Sequence, residues 1–375
     1  MRGLKGEATM TQARVRAVYM RGGTSRCLVF HERDLPPAGV ERDYILLAAL
    51  GSPDPYGRQL DGLGGGISSL SKACIIGPTT HPGADVDYTF AQVEVGKPHV
   101  DYTGNCGNCS SAVGPFAIEE RLIQPVDGLT LVRIHNTNTK KLIAARVPVA
   151  GSEPAVHGDF ALPGVAGTGA RIALDFLEPG GAGTGRLLPT GKTREMVEGV
   201  EASLIDASIP MVFVRARDLG LTGTETPQAI DSDTALGARL EKIRVAVSQL
   251  MGIPGSAATP KVAMVTAPVE YTALDGTKVG SEAADVVGRA ISMGNCHRAF
   301  PLTSSMCLAV AARIEGTLVH ECSTAKPGTD VRLGHPSGVL PLDAAVVKQA
   351  GEYQAERVTV YRTARRLMEG WVRIP

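Results

Sequence analysis

The alternation of apolar and polar residues divides this chain into many short strands, punctuated by glycine-rich turns, and a few helices. Arg14 to Met20 alternates and predicts a strand. Cys27 to Phe30 predicts a second strand, across the turn Arg21-Gly22-Gly23-Thr24-Ser25-Arg26. Strands follow at Ala73 to Ile76, Asp85 to Val95, His99 to Tyr102, Leu129 to Ile134, Lys141 to Val149, Arg171 to Phe176 and Gly183 to Leu188. The second half adds Val200 to Ile205, Met211 to Val214, Lys261 to Thr266, Val358 to Arg362 and Trp371 to Ile374. Asp43 to Leu50 predicts a short helix, stopped by Gly51 and Pro53. Asp233 to Met251 places Leu236, Leu240, Ile243, Val247 and Leu250 on one face, the mark of an amphipathic surface helix. Ala283 to Met293 leans towards a helix, because Val286, Val287, Ala290 and Ile291 recur at three- and four-residue steps, with a strand left open. The three arginines from Arg362 to Arg366 read as a solvated helix face.

Two apolar runs have no polar face and predict buried helices: Ala112 to Ile123 and Ser304 to Ile314. Each follows the same tripeptide, Gly104-Asn105-Cys106 in one half and Gly294-Asn295-Cys296 in the other. The order of elements around the two is alike, which extends a three-residue echo to a pseudo-duplication. The expectation is an α/β (α+β) protein of two similar domains, residues 11–190 and 191–375, each a curved sheet wrapped around a central helix. The last strand is free to return to the first domain, and the active site is expected between the two.

Composition narrows the function. Lys+Arg and Asp+Glu balance at 38 each and aromatic residues make up 4%. Nucleic acid as a partner is therefore not expected: there is no basic excess and few rings to stack bases on. No run approaches the roughly 20 apolar residues of a membrane span. Met1 to Met10 lack the apolar core of a signal peptide and read as a loose leader, with Met10 as an alternative start. With seven scattered cysteines the chain is expected to be reduced and cytoplasmic.

The candidate chemistry sits on three loops. The turn at Arg21, Gly23, Thr24 and Ser25 offers N–H groups, hydroxyls and guanidiniums to an anion. Gly62, Gly64, Gly65 and Gly66 lead into Ser68, Ser69, Ser71 and Lys72, a loop without the glycine spacing of a dinucleotide site. Gly104 to Cys109 joins a strand to a buried helix, where N–H groups and the helix dipole favour thiolate at Cys106 and attract carboxylates. Leu188-Pro189-Thr190-Gly191-Lys192-Thr193 lacks P-loop spacing, and Lys192 is left free to face a cleft. Cys106-x-x-Cys109 is half a zinc site, but the other half would be the adjacent Cys296 and His297, a poor chelate, so no metal is expected. Redox chemistry of the thioredoxin kind finds no neighbouring Pro or Trp. Hydrolysis finds no nucleophile elbow. Proton transfer remains: Lys72 and Cys106 on two sides of a carbon acid, with no cofactor, and arginines and helix N–H groups holding an enolate-like intermediate.

These residues resemble the PrpF family. The likeness rests on Met20-Arg21-Gly22-Gly23-Thr24-Ser25, Asp61-Gly62 with Gly64-Gly65, Ser68-Ser69 with Ser71-Lys72, and Gly104-Asn105-Cys106-Gly107-Asn108. It continues through Val113-Gly114-Pro115-Phe116-Ala117, Leu188-Pro189-Thr190-Gly191, Ser292-Met293-Gly294 with His297, and Gly334-His335-Pro336-Ser337-Gly338. The resemblance implies a diaminopimelate-epimerase-like fold. It also implies cofactor-independent isomerisation of an unsaturated di- or tricarboxylate of the methylaconitate, methylitaconate, aconitate or oxalomesaconate type. It gives the acid and base roles to Lys72 and Cys106. It places Asn105, Gly107, Asn108, Ser292, Met293, His297 and Ser337 with the arginine turn, the serines and Lys192 around the substrate. The chain departs from the family pattern at Arg26-Cys27, where Lys-Gly is usual, and at Cys109, where an aliphatic residue is expected. Two rival readings are an amino-acid racemase or epimerase using Cys106 and Cys296, and a non-catalytic carboxylate-binding accessory of an aconitase-like enzyme. A homodimer is left open.

Overall fold

A computed structural model describes residues 11–256 and 259–375; the leader expected at Met1 to Met10 lies outside them. The chain divides into two compact units, residues 1–174 with 362–375, and residues 175–361. The division falls inside the strand Ile172–Leu177, not at residue 190. The turn around Pro189 therefore lies within the second unit.

In the first unit, β1 (Ala13–Gly22) and β2 (Ser25–His31) form an antiparallel hairpin. β3 (Lys72–Pro78) lies parallel to β2 and antiparallel to β4 (Val86–Val93). After the short β5 (Val100–Asp101) the chain enters the helix, then returns as β6 (Gly128–Asn136), parallel to β4, and β7 (Lys141–Ala150), antiparallel to β6. The C-terminal strand Ala364–Ile374 closes the other edge against β1. One face of this sheet is covered by α1 (Val40–Leu50), whose Ile45, Leu46, Ala49 and Leu50 share a core with Leu28, Phe30, Ile75 and Val93. Both faces of β3 are buried, so it reads as a continuous apolar run and not as an alternation.

The other face wraps α2 (Gly107–Glu119). This helix touches β1, β2, β3, β4, β6, β7 and the C-terminal strand, a reach that only a strongly curved sheet allows. Contact is close. A Cβ on Gly114 would sit 2.7 Å from Val147 Cγ2, so only glycine lets the helix axis approach β7 this nearly. α2 begins five positions earlier than the apolar run suggests, because Ser110 and Ser111 are small enough to be buried in its first turns. Ser110 and Ser111 return their hydroxyls to the Cys106 and Asn108 carbonyls at 3.0 and 2.7 Å.

The second unit repeats the plan with unrelated side chains. Val200–Asp206 and Pro210–Arg215 form the hairpin, and Lys261–Thr266 lies parallel to the latter. Val286–Ser292 is antiparallel to Lys261–Thr266, Val331–His335 is parallel to Val286–Ser292, and Gly338–Gln349 is antiparallel to that. The sequence of antiparallel and parallel pairings matches that from β1 to β7. Its central helix is Leu302–Ala311, entirely buried from Ser304 on. The outer helix Thr234–Leu250 is capped by Asp233 and buries Leu236, Leu240, Ile243 and Val247 as read from the sequence, whereas Leu250, expected on the same face, is exposed at the helix end. The α+β class and the sheet-around-helix plan hold in both units.

Three local expectations fail. Val286–Ser292 is a strand, not a helix; Val286 to Ala290 are buried on both faces, so the alternation that marks a half-buried strand is missing. Gly183 to Leu188 forms no strand, because Asp206 Oδ2 gathers the N–H groups of Gly183 and Thr184 at 2.8 and 2.7 Å into a turn. Arg362 to Arg366 lies on the strands Glu352–Arg362 and Ala364–Ile374 and not on a helix.

At the end of α2, Glu120 meets His31, Arg16 and Arg366, each at 2.9 Å. Burial alone would raise its carboxyl, but the bonds from His31 and Arg366 and the charge of Arg16 outweigh it and hold Glu120 at about 2. A carboxyl depressed by folding stabilises the protein above its unfolded value, and that stabilisation is lost as pH falls through the folded value. Urea midpoints measured between about pH 5 and pH 2 should fall for the natural chain. Glu120→Gln should be less stable at neutral pH and show a shallower fall. Parallel curves for the two would contradict this.

Candidate active site

The first turn of α2 is where the chemistry-bearing residues of the first unit meet. Cys106 is the N-cap of the helix, in an extended conformation, and its sulfur accepts the N–H of Cys109 at 3.4 Å. It is half-buried, whereas Cys109 is fully buried. The adjoining Cys109 thiol and burial push the Cys106 thiol well above its usual range, against the pull of the Lys72 charge. The thiolate expected from the helix N-terminus alone is therefore not what this environment favours. The direction is towards S–H at Cys106.

Lys72 opens β3 and is buried. Its Nζ donates to Gln92 Oε1 at 2.5 Å and lies 5.0 Å from the centre of the Phe90 ring. Gln92 is itself held, donating to the Ser68 and Ser71 carbonyls at 3.1 and 2.9 Å. The serine loop is thus tied to the lysine through its backbone. Ser71 is fully buried; it donates to the Val93 carbonyl at 2.9 Å and accepts from Gln59 at 2.7 Å. That hydroxyl is spent on holding the loop. Ser68 is exposed and Ser69 partly so, on a single 3-10 turn.

The β1–β2 turn is pressed onto the helix start. A Cβ on Gly23 would lie 2.3 Å from Asn108 Oδ1, and its φ of +53° is the left-handed region that favours glycine. Asn108 donates to Thr24 Oγ1 at 3.1 Å and accepts from Arg362 Nε at 3.0 Å. Arg21 donates to the Gly23 and Thr363 carbonyls at 3.0 and 2.9 Å, so it shapes the turn, and Ser25 is buried. Asn105 accepts from Ser110 Oγ at 3.3 Å and from Asn136 Nδ2 at 3.4 Å, which fixes the chain entering Cys106. Gly107 forms the first helical residue without a side chain over the N–H groups.

Sequence reasoning missed Arg362. It is buried, and burial lowers its guanidinium to about 10 while Cys106 pulls the other way; it remains a cation at neutral pH. The signal was the strand Val358 to Arg362, which a run of arginines disguised as a solvated surface.

The second-unit candidates are more dispersed. Lys192 is exposed, its Nζ 3.4 Å from Glu195. Ser292 ends the strand Val286–Ser292, and Met293 follows it exposed, at a φ of +54°. His297 is exposed and its Nδ1 accepts the N–H of Ala299 at 3.1 Å. Ser337 donates to the Arg298 carbonyl at 2.6 Å, bringing its turn to the segment that carries His297. Cys296 does not mirror Cys106. It lies on the short strand Asn295–Cys296, six positions before its helix, in the apolar cluster of Ile243, Val262 and Met264. Burial raises its thiol to about 12. The helix Leu302–Ala311 has no side-chain cap, and Ser304 Oγ near its start is buried without a hydrogen-bond partner. The sequence reading passed over Ser304 as part of an apolar run. A surface hollow of about 550 Å³ lined by Tyr44, Tyr56, Arg58 and Leu60 includes none of these candidates.

A model of the PrpF protein family matches residues 12–375. The chain belongs to this family. It is 41% identical to a 2-methyl-aconitate isomerase of Shewanella oneidensis over 97% of this chain and 98% of the relative. It is 41% identical to a 3-methylitaconate isomerase of Eubacterium barkeri, over 96% and 97%. A 4-oxalomesaconate tautomerase of Pseudomonas putida is 38% identical, over 97% of each. The crystal structure of a methylitaconate-delta-isomerase superposes with a TM-score of 0.90 at 40% identity, over 97% of this chain and 96% of that one.

The shift of Cys106 towards S–H leads to a chemical expectation. Alkylation needs thiolate, so iodoacetamide at pH 7 should modify Cys106 at least about tenfold more slowly than free cysteine. Peptide mapping by mass spectrometry reads the rate. Faster reaction than free cysteine would restore the thiolate assignment.

Proposed function

We propose that the chain is a cofactor-independent isomerase that shifts or rotates a C=C bond of an unsaturated di- or tricarboxylate. The substrate is of the methylaconitate, methylitaconate, aconitate or oxalomesaconate type. The observation that carries the reading is that two cations, Lys72 and Arg362, both interact with the Cys106 thiol at the first turn of α2, where Arg362 donates to Asn108 at 3.0 Å. Names of relatives that isomerise or tautomerise such acids support the same class.

In the proposed reaction a substrate carboxylate lies against the first-turn N–H groups of α2, with Thr24, Asn108 and Arg362 beside it. Lys72 Nζ, as the base, takes a proton from the carbon next to the double bond. The electron pair spreads into the carboxylate as a dienolate, stabilised by the helix N–H groups and the guanidinium. Cys106 returns a proton from S–H to the far carbon, which moves the double bond. Return to the original carbon after rotation exchanges cis for trans. The thiolate then recovers its proton from the Lys72 ammonium, directly or through solvent. Ser68 and Ser69 supply the remaining first-unit contacts to the substrate in this reading. The racemase alternative needs a second thiol acting as Cys106 does, and the apolar burial of Cys296 speaks against it.

NMR in D₂O of a panel of these acids tests the proposal. Deuterium should enter an allylic or methyl position of the true substrate. Lys72→Ala should abolish turnover, and Cys106→Ser should lower it by at least about 10²-fold, the usual worth of a general acid. Cys296→Ser should leave it near normal. Full activity in both Lys72→Ala and Cys106→Ser would sink the mechanism, and tight binding with no exchange would favour the accessory-protein reading.

A further inference from the structure

Cys106-x-x-Cys109 finds its other half in two strands. β2 and β3 run parallel with Val29 opposite Cys74, and Cys27 lies two residues before Val29, on the same face. That face is the one α2 covers, and the first turn of the helix lays Cys109 against it. The sulfurs of Cys27, Cys74 and Cys109 all lie within 4.8 Å of one another, and all three residues are fully buried. Among the described residues this is the one such convergence of metal-ligating atoms. The sequence reading looked for the missing ligands at Cys296 and His297 and so set metal aside.

We propose that Cys27, Cys74 and Cys109 form a binding site for a thiophilic divalent cation such as Zn²⁺, with Cys106 as fourth donor. The spacing fits. Three sulfurs at about 2.3 Å from one ion lie roughly 4 Å apart, so small side-chain rotations close the site. The donors are all soft, which excludes the oxygen-seeking Mg²⁺ and Ca²⁺. The sulfur of Cys106 is outside that convergence; at the N-cap, three residues before Cys109, it reaches the fourth position by turning its side chain. Each thiol that binds releases one proton, and four thiolates around a doubly charged ion leave two negative charges. Lys72 and Arg362, whose charges both act on Cys106, balance them. Occupancy takes the Cys106 sulfur away from proton transfer, so on the mechanism above the metal-bound form is an inhibited one.

Anaerobic titration of the reduced, metal-free chain with Cd²⁺ and Zn²⁺ tests the site without reference to activity. One ion per chain should bind, with an ultraviolet thiolate-to-cadmium charge-transfer band and Zn²⁺ retained against a chromophoric chelator. Losing a group that merely supports a ligand costs about 10–100-fold in affinity, so Cys27→Ser and Cys74→Ser should each cost at least about 100-fold. Cys296→Ser and Cys322→Ser should bind as the natural chain does. Cys27→Ala and Cys74→Ala, checked by circular dichroism, replace any serine variant that misfolds. Absence of the band in the natural chain, or an undiminished band in folded Cys27 and Cys74 variants, overturns the site. The outcome is independent of the deuterium experiment: a band without isomerase activity leaves the site standing, and activity without a band removes the site alone.

Discussion

The constraint on which the first unit turns is the burial of a helix start. The N–H groups of a helix's first turn have no partners within the helix. α2 carries them into the hollow of a sheet, where water is scarce. One is met by the Cys106 sulfur, a weak acceptor, and the turn is braced by Asn108, which ties Thr24 to Arg362. The N–H groups not engaged in this way are what a substrate carboxylate would satisfy. The same burial shapes Cys106: the helix dipole favours thiolate, but the neighbouring thiol and the loss of water favour S–H more strongly.

Much of this was legible in the sequence, and the physical reason is that the site lies on glycine-rich loops with polar residues at fixed steps. Gly23 is required by its contact with Asn108, so the turn and the helix start constrain each other in one dimension before they meet in three. The buried helices showed themselves as runs without a polar face. The strand Val286–Ser292 did not, since burial on both faces removes the alternation and leaves β-branched residues at helix-like intervals by chance. Arg362 was hidden for a different reason. A buried cation is rare, and three arginines close together read as surface unless a partner such as Asn108 is known. Long-range pairs of this kind have no trace in local pattern. The convergence of Cys27, Cys74 and Cys109 is the same case: it follows from strand register and helix placement, which no spacing rule along the chain encodes.

Comparing the two units separates scaffold from chemistry. Both use the same order of strand pairings around one apolar helix, yet the second places its cysteine in the outer core and leaves Ser304 near the helix start instead. The echo of Gly-Asn-Cys is therefore a likeness of sequence: Cys106 caps a helix and Cys296 lies on a strand. What the duplicated plan retains is an uncapped or weakly capped helix start in each unit, and side chains around it have diverged.

The C-terminal strand Ala364–Ile374 has a bearing on biosynthesis. It pairs along the length of β1, whose residues leave the ribosome before the whole second unit. Until Ala364–Ile374 emerges, β1 has a bare edge on that side, and the position later filled by Arg362 is empty. The second unit lies wholly between these events in the order of synthesis. The unit that starts first is thus completed last, and the nascent first unit must be kept from pairing its open edge with other chains in the meantime.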